Sequence, residues 1–257
     1  MIKIAIATHK GGSGKTVTAI NLSAGLSRKN KTLLVDLDPQ GHSSLGLGVA
    51  VGLDEPTIAD LLQDPRLPPK NAIRRVTGTM DILPSNIRLA RVGESLYAGV
   101  RREERLNLAL KSLSGYDYML MDCPPSLGTL TANALACADW ILVPCEMGAR
   151  AADGLMDLLE LVSLLKGENF TRWRILLTKF DARKTVTNEV VLKALDPHKD
   201  KILTTRIGVS ESLNQCQMAG QDIFRFEPDG RGASFYADLT QEILATTKPK
   251  QPIEAIQ

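Results

Sequence analysis

Short apolar runs alternate along the chain with segments whose apolar residues recur at helical spacing. The short runs predict buried strands at residues 2–7, 31–38, 80–84, 118–122, 140–144, 174–178 and 202–203. The longer segments predict helices at residues 17–26, 58–62, 127–137, 151–165, 185–195 and 234–246, with two more in 86–113 that break near Gly99. Strands that alternate with helices predict an α/β fold, a single doubly wound and mostly parallel sheet with helices on both faces.

The chain shows no internal repeat, low-complexity segment or linker, which indicates one domain over residues 1–247. Residues 248–257 are polar and contain Pro249 and Pro252, so we expect a disordered C-terminal tail. The core is expected to consist mainly of Leu, Ile, Val and Ala, since 44% of residues are hydrophobic and only 4% are aromatic.

Charge and cysteine content narrow the class of protein. The net charge of +2 indicates no particular partner. Cys123, Cys137, Cys145 and Cys216 form no C-x-x-C pair, which argues against a zinc or redox motif and favours buried thiols in a reducing compartment. No signal segment precedes the first strand, and no apolar run approaches the length of a membrane span. We therefore expect a soluble cytoplasmic protein.

The glycine-rich segment 10–16, KGGSGKT, joins the first predicted strand to the first helix. Backbone N–H groups and the helix N-terminus make such a turn an anion site, the P-loop. Lys15 is expected to bind the β- and γ-phosphates of a nucleotide and Thr16 to ligate Mg²⁺. His9 stands where the usual pattern has glycine, and Lys10 adds a second lysine at the entry. The nucleotide-binding residues predicted here are Lys10, Gly11, Gly12, Ser13, Gly14, Lys15, Thr16 and Val17.

Two further predicted strands end in carboxylates. Asp36 and Asp38 close the second strand, and Asp38 lies further out, where the strand enters a loop. An aspartate beside the γ-phosphate can orient or deprotonate the attacking water, which predicts a catalytic role for Asp38. Asp122 ends another apolar run, so the predicted metal site is Thr16, Asp38 and Asp122. These groups are expected to converge, because parallel sheets bind ligands beyond the carboxyl ends of their strands.

The end of the strand predicted at residues 174–178 bears on whether the bound nucleotide is ATP or GTP. The segment 178–181, TKFD, resembles the N/T-K-x-D element by which GTPases read guanine through the aspartate. Taken alone this match favours GTP, although four residues carry little specificity. Thr178 joins the predicted nucleotide-binding residues.

Four segments together resemble the ParA/MinD family of ATPases, and within it the ParA-type partition ATPases. They are the deviant P-loop pattern KGGxGK[ST] at 10–16, LLVDLDPQG at 33–41, MLMDCPPSLG at 119–128 and EP…RGASFYADLTQEI at 227–243. The match covers nearly the whole chain in the expected order, and it favours ATP over GTP. The chain resembles the short class, which has no N-terminal helix-turn-helix domain.

This resemblance implies a P-loop NTPase that dimerises on ATP, hydrolyses it slowly with Mg²⁺ and is stimulated by a cargo-associated adaptor protein. It implies that Lys10 reaches across a nucleotide-sandwich homodimer to the partner's phosphates, and so joins Lys15 and Asp38 as a catalytic residue. The segments after Asp38 and Asp122 are expected to act as switches, and Phe226 and Pro228 to lie by the adenine. The cargo is open between a plasmid, a chromosome origin and a large protein assembly.

The resemblance further implies binding to DNA without sequence preference, and therefore a location on the nucleoid. Residues 66–111 hold ten Lys or Arg against four Asp or Glu, and residues 166–206 hold ten against five. A solvated face explains either charge run as well as DNA binding does, and we prefer the second stretch as the DNA face. Its predicted DNA-binding residues are Arg172, Arg174, Arg183, Lys184, Lys193 and Arg206.

Two other classes of protein stay open. A MinD-like membrane-cycling regulator needs a C-terminal amphipathic helix, and residues 246–257, with their two prolines, are a poor candidate, so no stable membrane association is expected. A P-loop metabolic enzyme needs cluster cysteines, for which Cys123 supplies no convincing pair, or a second substrate pocket that the sequence does not reveal.

Overall fold

The computed structural model describes residues 1–148 and 153–247. Its strands form one sheet in the order β3-β4-β2-β5-β1-β6-β7-β8. In chain order they are β1 Ile2–Ile6, β2 Thr32–Asp36, β3 Arg74–Arg75, β4 Met80–Leu83, β5 Tyr118–Asp122, β6 Trp140–Glu146, β7 Trp173–Phe180 and β8 Ile202–Gly208. Every pairing is parallel except that of the edge strand β3 with β4, which confirms the predicted fold class.

Helices connect the strands on both faces of the sheet. They are α1 Lys15–Ser27, α2 His42–Gly46, α3 Ile58–Gln63, α4 Arg88–Leu96, α5 Arg105–Ala109, α6 Thr129–Cys137, α7 Asp153–Lys166, α8 Thr185–Ala194, α9 Ser212–Met218, α10 Ile223–Phe226 and α11 Arg231–Thr247. The predicted break near Gly99 separates α4 from α5. The sequence pattern missed α2, α9, α10 and β3, because elements this short show no measurable hydrophobic period.

The sheet separates two hydrophobic clusters, and successive residues of one strand belong to different clusters. In β1, Ile4 and Ile6 pack on the face covered by α1, whereas Ala5 packs on the opposite face. This alternation is the two-residue period of a strand buried on both sides. It explains why the central strands read as continuous apolar runs in the sequence.

Strand register aligns the carboxyl ends of three central strands. Asp122 of β5 lies directly opposite Asp36 of β2 on one side and opposite Ile6 of β1 on the other. The loop that follows Ile6 is the glycine-rich segment 10–16. The sheet therefore brings this loop, the loop after β2 and the loop after β5 to one edge, as the pattern of strand ends predicted.

Some predicted features extend beyond the described residues. The predicted tail 248–257 lies outside them, as do the first two residues of the helix predicted at 151–165. In residues 1–148 and 153–247, no helix is both long and apolar enough to span a membrane.

Candidate nucleotide site

The glycine-rich loop takes a backbone shape that other residues adopt with difficulty. Gly12 and Gly14 have φ angles of +72° and +88°, in the left-handed region. Gly14 is also the N-cap of α1, so the loop leads directly into the helix N-terminus. Thr178 supports the loop from behind: its hydroxyl donates to the Ser13 carbonyl at 2.8 Å, and a Cβ at Gly14 would lie 3.7 Å from its methyl carbon. The structure thus places Thr178 as a buried support of the loop.

Lys15 is a buried cation at the start of α1, with 7% of its surface exposed. Its Nζ donates to the Lys10 carbonyl at 3.0 Å, so the ammonium lies across the loop. Burial lowers its pKa, and the carboxylates of Asp122 and Asp38 act against this shift. A buried cation at the N-terminus of α1, with little competing water, is well placed to bind phosphate oxygens.

Asp122 is the buried carboxylate that the fold directs at this loop. Its Oδ2 accepts a hydrogen bond from Ser43 Oγ at 2.7 Å, while its buried Oδ1 has no hydrogen-bond partner among the described residues. Burial raises its pKa, against the hydroxyls of Ser43 and Thr16, which lower it. A buried oxygen without a donor beside the Thr16 hydroxyl fits a hydrated Mg²⁺ ion.

The two aspartates after β2 have different surroundings. Asp36 is fully buried, and its Oδ2 accepts from the Ser44 amide at 2.9 Å and the Ser44 hydroxyl at 2.7 Å. Burial and the nearby Asp122 raise the pKa of Asp36. Asp38 accepts from the Gln40 amide at 2.9 Å and, although it is also buried, keeps 8% of its surface exposed. Asp36 therefore holds the loop in place, whereas Asp38 is the carboxylate that a ligand can reach.

Residues 1–148 and 153–247 contain no group of three or more His, Cys, Asp or Glu side chains arranged to hold a metal ion. A Mg²⁺ ion in a phosphate site does not need such a group, since one or two carboxylates, water and the phosphates complete its shell. Thr16 and Asp122 fit this sparse protein contribution, and the nearby Asp38 carboxylate adds to the negative potential of the site.

The segment that resembles a guanine reader is engaged elsewhere. Both carboxylate oxygens of Asp181 bind the Arg183 guanidinium, at 2.9 and 2.8 Å. These hydrogen bonds hold the pKa of Asp181 at about 2. Asp181 thus already has a cationic partner within its own turn, which weakens the argument for GTP.

Lys10 forms an ion pair that the sequence did not reveal. Its Nζ lies 2.8 Å from Glu146 Oε2, at the carboxyl end of β6. Lys179 reaches the other oxygen of the same carboxylate at 3.2 Å, and His9 Nδ1 lies 2.8 Å from Asp157 of α7. Glu146 follows the rule that predicted Asp38 and Asp122, an acid at the end of an apolar strand, and that rule could have found it.

The structure corrects the prediction for Phe226 and Pro228. The α10 turn that ends at Phe226 is fixed beside α1, because the Ile223 amide donates to Asn21 Oδ1 at 2.7 Å. Pro228 lines a surface pocket of about 370 Å³ with Arg28, just past the C-terminal end of α1. At about 1.5 Å per helical residue, the α1 residues that line this pocket, Ala24 to Arg28, lie about 14–20 Å along the helix from Lys15 at the phosphate loop. Neither residue is placed to contact the adenine of a nucleotide bound there.

The predicted DNA residues fall into two groups around the β7–β8 side of the sheet. Arg183, Lys184 and Arg206 lie near the carboxyl ends of these strands, and the Arg206 guanidinium sits 4.6 Å from the centre of the Phe180 ring. Arg172 and Arg174 flank the amino end of β7, and Lys193 lies in the last turn of α8. Since β7 spans eight residues at about 3.3 Å each, the two groups do not form one compact patch.

Comparisons with known proteins agree with this geometry. Residues 1–175 match a protein family described as an AAA domain. The sporulation initiation inhibitor protein Soj of Bacillus subtilis is 37% identical over 251 residues, covering 94% of this chain and 98% of Soj. The chromosome partitioning protein ParA of Myxococcus xanthus is 36% identical over 256 residues, covering 97% and 90% of the two chains. The chain belongs to the ParA/Soj family of partition ATPases.

Solved structures similar to this ParA/Soj-type chain include nucleotide complexes. The Cyanothece McdA(D38A)–ATP complex has a TM-score of 0.83 at 26% identity, covering 98% of this chain and 99% of McdA(D38A). Cobyrinic acid a,c-diamide synthase of Mycobacterium smegmatis, with a bound ATP analogue and magnesium, has a TM-score of 0.84 at 29% identity, covering 98% and 97%. The shared fold thus serves both a ParA-like protein and a biosynthetic enzyme.

Proposed function

We propose that this protein is an ATP-driven switch that dimerises when it binds ATP and Mg²⁺, and that hydrolyses ATP slowly to ADP and phosphate. In the ATP-bound dimer it binds DNA without sequence preference, which places it on the nucleoid in the cytoplasm with no stable membrane association. An adaptor protein on the cargo stimulates hydrolysis and releases the dimer. The cargo is a plasmid, a chromosome origin or a large protein assembly.

The observation that carries this proposal is the convergence of Lys15, Asp38 and Asp122 around the loop 10–16. Asp122 ends β5, which pairs on one side with β1, whose loop leads to Lys15, and on the other with β2, whose loop carries Asp38; all three side chains are buried. In the proposed reaction Lys15 binds the β- and γ-phosphates, and Asp38 orients or accepts a proton from the attacking water. Thr16 and Asp122 hold the Mg²⁺ ion, which neutralises phosphate charge when it is bound.

ATP is the proposed nucleotide for two reasons. The Asp181 carboxylate, the group that would read guanine, is occupied by Arg183. The similar McdA and diamide synthase structures hold ATP or an ATP analogue. A competition experiment with GTP tests this point, and GTP should displace a labelled ATP analogue poorly.

Lys10 is proposed to act in the partner subunit. Lys15 and the loop amides already serve the phosphates of the same chain, so a second ammonium at the entry is best used on the partner's triphosphate. Lys10→Ala should keep nucleotide binding as a monomer but lose dimerisation, and with it stimulated hydrolysis and DNA binding. Sedimentation with a non-hydrolysable ATP analogue tests this role. A Lys10→Ala protein that dimerises normally and turns over at the parental rate contradicts it.

A biosynthetic enzyme is the second candidate, and the similarity to the diamide synthase favours it. Such an enzyme consumes ATP in proportion to a second substrate, whereas a partition switch hydrolyses ATP with DNA and an adaptor. Phosphate release should be measured with DNA, and separately with a corrin carboxylic acid and glutamine. Stimulation by DNA indicates a partition switch, whereas stimulation by the corrin and glutamine indicates a biosynthetic enzyme. The segment 246–257, which a membrane-cycling regulator would need, lies almost wholly outside the described residues.

A further inference from the structure

Glu146 binds two ammonium groups with one carboxylate. Oε2 lies 2.8 Å from Lys10 and Oε1 lies 3.2 Å from Lys179, while the side chain of Glu146 is only 24% exposed. Burial acts to raise its pKa, but the hydrogen bonds from the two lysines outweigh burial and lower it. One lysine is sufficient to neutralise this carboxylate. The other lysine can therefore move away without leaving the Glu146 carboxylate unpaired.

The position of Lys179 depends on an unusual backbone. Its φ angle is +52°, in the left-handed region that a side chain rarely adopts. The pairing of β7 with β8 is irregular at this point, since Leu177 pairs with Arg206 and Phe180 with Gly208, leaving one extra residue on β7. A bulge of this kind re-aims a side chain. Lys179 lies within this bulge, and its Nζ reaches Glu146 of the neighbouring strand at 3.2 Å.

The two ion pairs explain how Lys10 can be held by Glu146 in the single subunit and still move to the partner subunit's triphosphate in the dimer. If Glu146 had Lys10 as its sole partner, moving Lys10 to another subunit would leave a partly buried carboxylate unpaired, which is costly. We propose that Glu146 positions Lys10 in the single subunit, and that Lys179 keeps Glu146 neutralised when Lys10 moves to the partner's triphosphate. The inference rests on the proposed role of Lys10 in the dimer.

Lys179 is also close enough to the phosphate loop to bind nucleotide, and the experiment has to distinguish that role from the neutralisation of Glu146. A Cβ on Gly12 would lie 4.0 Å from Lys179 Nζ, so this ammonium also lies beside the phosphate loop. If its role were to bind nucleotide, its removal would weaken binding of ADP to the monomer. If its role is to neutralise Glu146, its removal weakens dimerisation and leaves ADP binding intact.

The test is a double-mutant cycle on dimerisation with a non-hydrolysable ATP analogue, followed by sedimentation velocity. Lys179→Ala should raise the dimer dissociation constant about tenfold, since Lys10 must then leave an otherwise unpaired Glu146. Glu146→Gln should dimerise at least as tightly as the parent. The double variant should behave like Glu146→Gln alone, because a neutral glutamine needs no replacement cation. Glu168→Gln and Lys111→Ala, at exposed positions elsewhere, serve as matched controls.

The inference is supported if adding Glu146→Gln restores dimerisation to Lys179→Ala and if the ADP affinity stays within about twofold of the parent. A purely structural defect caused by Lys179→Ala would persist in the double variant. Parental dimerisation of Lys179→Ala, lack of rescue, or an equal loss of ADP affinity overturns it. Lys10→Ala in the same assay distinguishes a failure of the inference about Lys179 from a failure of the proposed cross-subunit role of Lys10. If Lys10→Ala dimerises normally, the cross-subunit role has failed; if it does not dimerise and rescue is absent, only the inference about Lys179 has failed.

Discussion

Ser43 donates a 2.7 Å hydrogen bond to Asp122, and this bond joins the first turn after the β2 loop to the carboxylate that ends β5. The other oxygen of Asp122 has no partner among the described residues. The bond therefore orients a buried carboxylate so that one oxygen stays available for a metal ion. It also links the segment that follows the Asp38 loop to the β5 strand end.

Ser43→Ala should cost about 1–3 kcal/mol of unfolding free energy, since a buried carboxylate loses its donor. It should also raise the Mg²⁺ concentration needed for half-maximal turnover, because Asp122 is then free to rotate. Urea unfolding and a Mg²⁺ titration measure the two effects. Ser23→Ala is the matched control: the buried Ser23 hydroxyl has no hydrogen-bond partner within the part of the chain that the structure describes, so its removal should cost little. Equal stability of the two variants would show that the Ser43 bond contributes nothing.

Lys15→Ala should reduce ATP binding and turnover to background. The ammonium is a buried cation at the phosphate loop, and removing such a charge costs about 3 kcal/mol or more in the transition state. Fluorescence titration with a labelled ATP analogue and a phosphate-release assay measure the loss. Lys29→Ala, an exposed lysine beyond the other end of α1, should bind normally. Unchanged ATP affinity in Lys15→Ala would refute the assignment of the loop.

Asp38→Ala should bind ATP and Mg²⁺ nearly as well as the parent and fail to hydrolyse ATP. Asp38 belongs to the loop after β2, whereas Lys15 and the amides of the loop 10–16 form the phosphate cradle. The variant should therefore accumulate as an ATP-bound dimer, which light scattering detects. Asp54→Ala, at an exposed site on a neighbouring loop, should turn over normally. Parental turnover in Asp38→Ala would transfer the catalytic role to another residue.

DNA binding should require ATP and fall steeply with salt, since counterion release drives non-specific association. Lys184→Glu combined with Arg206→Glu should weaken binding to every sequence about equally and reduce the salt slope by about two. We choose this pair because Arg183 is already bound to Asp181. Arg91→Glu with Lys70→Glu, both at exposed positions, tests the other basic stretch. If only the second pair of substitutions weakens DNA binding, the DNA-binding surface lies on residues 66–111. If ATP-bound Asp38→Ala does not bind DNA at low salt, the nucleoid role is excluded.

Sequence reasoning was successful where geometry is local. A strand, a glycine turn and a helix N-terminus form within consecutive residues, so the loop 10–16 and the strand ends at Asp38 and Asp122 could be located from pattern alone. It failed for Phe226 and Pro228. Their motif was matched correctly along the chain, but α10 packs against α1 and places them at the far end of that helix.

The sequence by itself determined the alternation of strands and helices, the phosphate loop and the carboxylates that follow β2 and β5, because each depends on neighbouring residues and on the parallel order of strands. Only the tertiary structure decided which side chains meet: Ser43 with Asp122, Thr178 with the loop backbone, and Glu146 between Lys10 and Lys179. These contacts join segments distant in sequence, and their geometry depends on strand register and on one bulge in β7. No local pattern encodes either, since both result from the packing of the whole sheet.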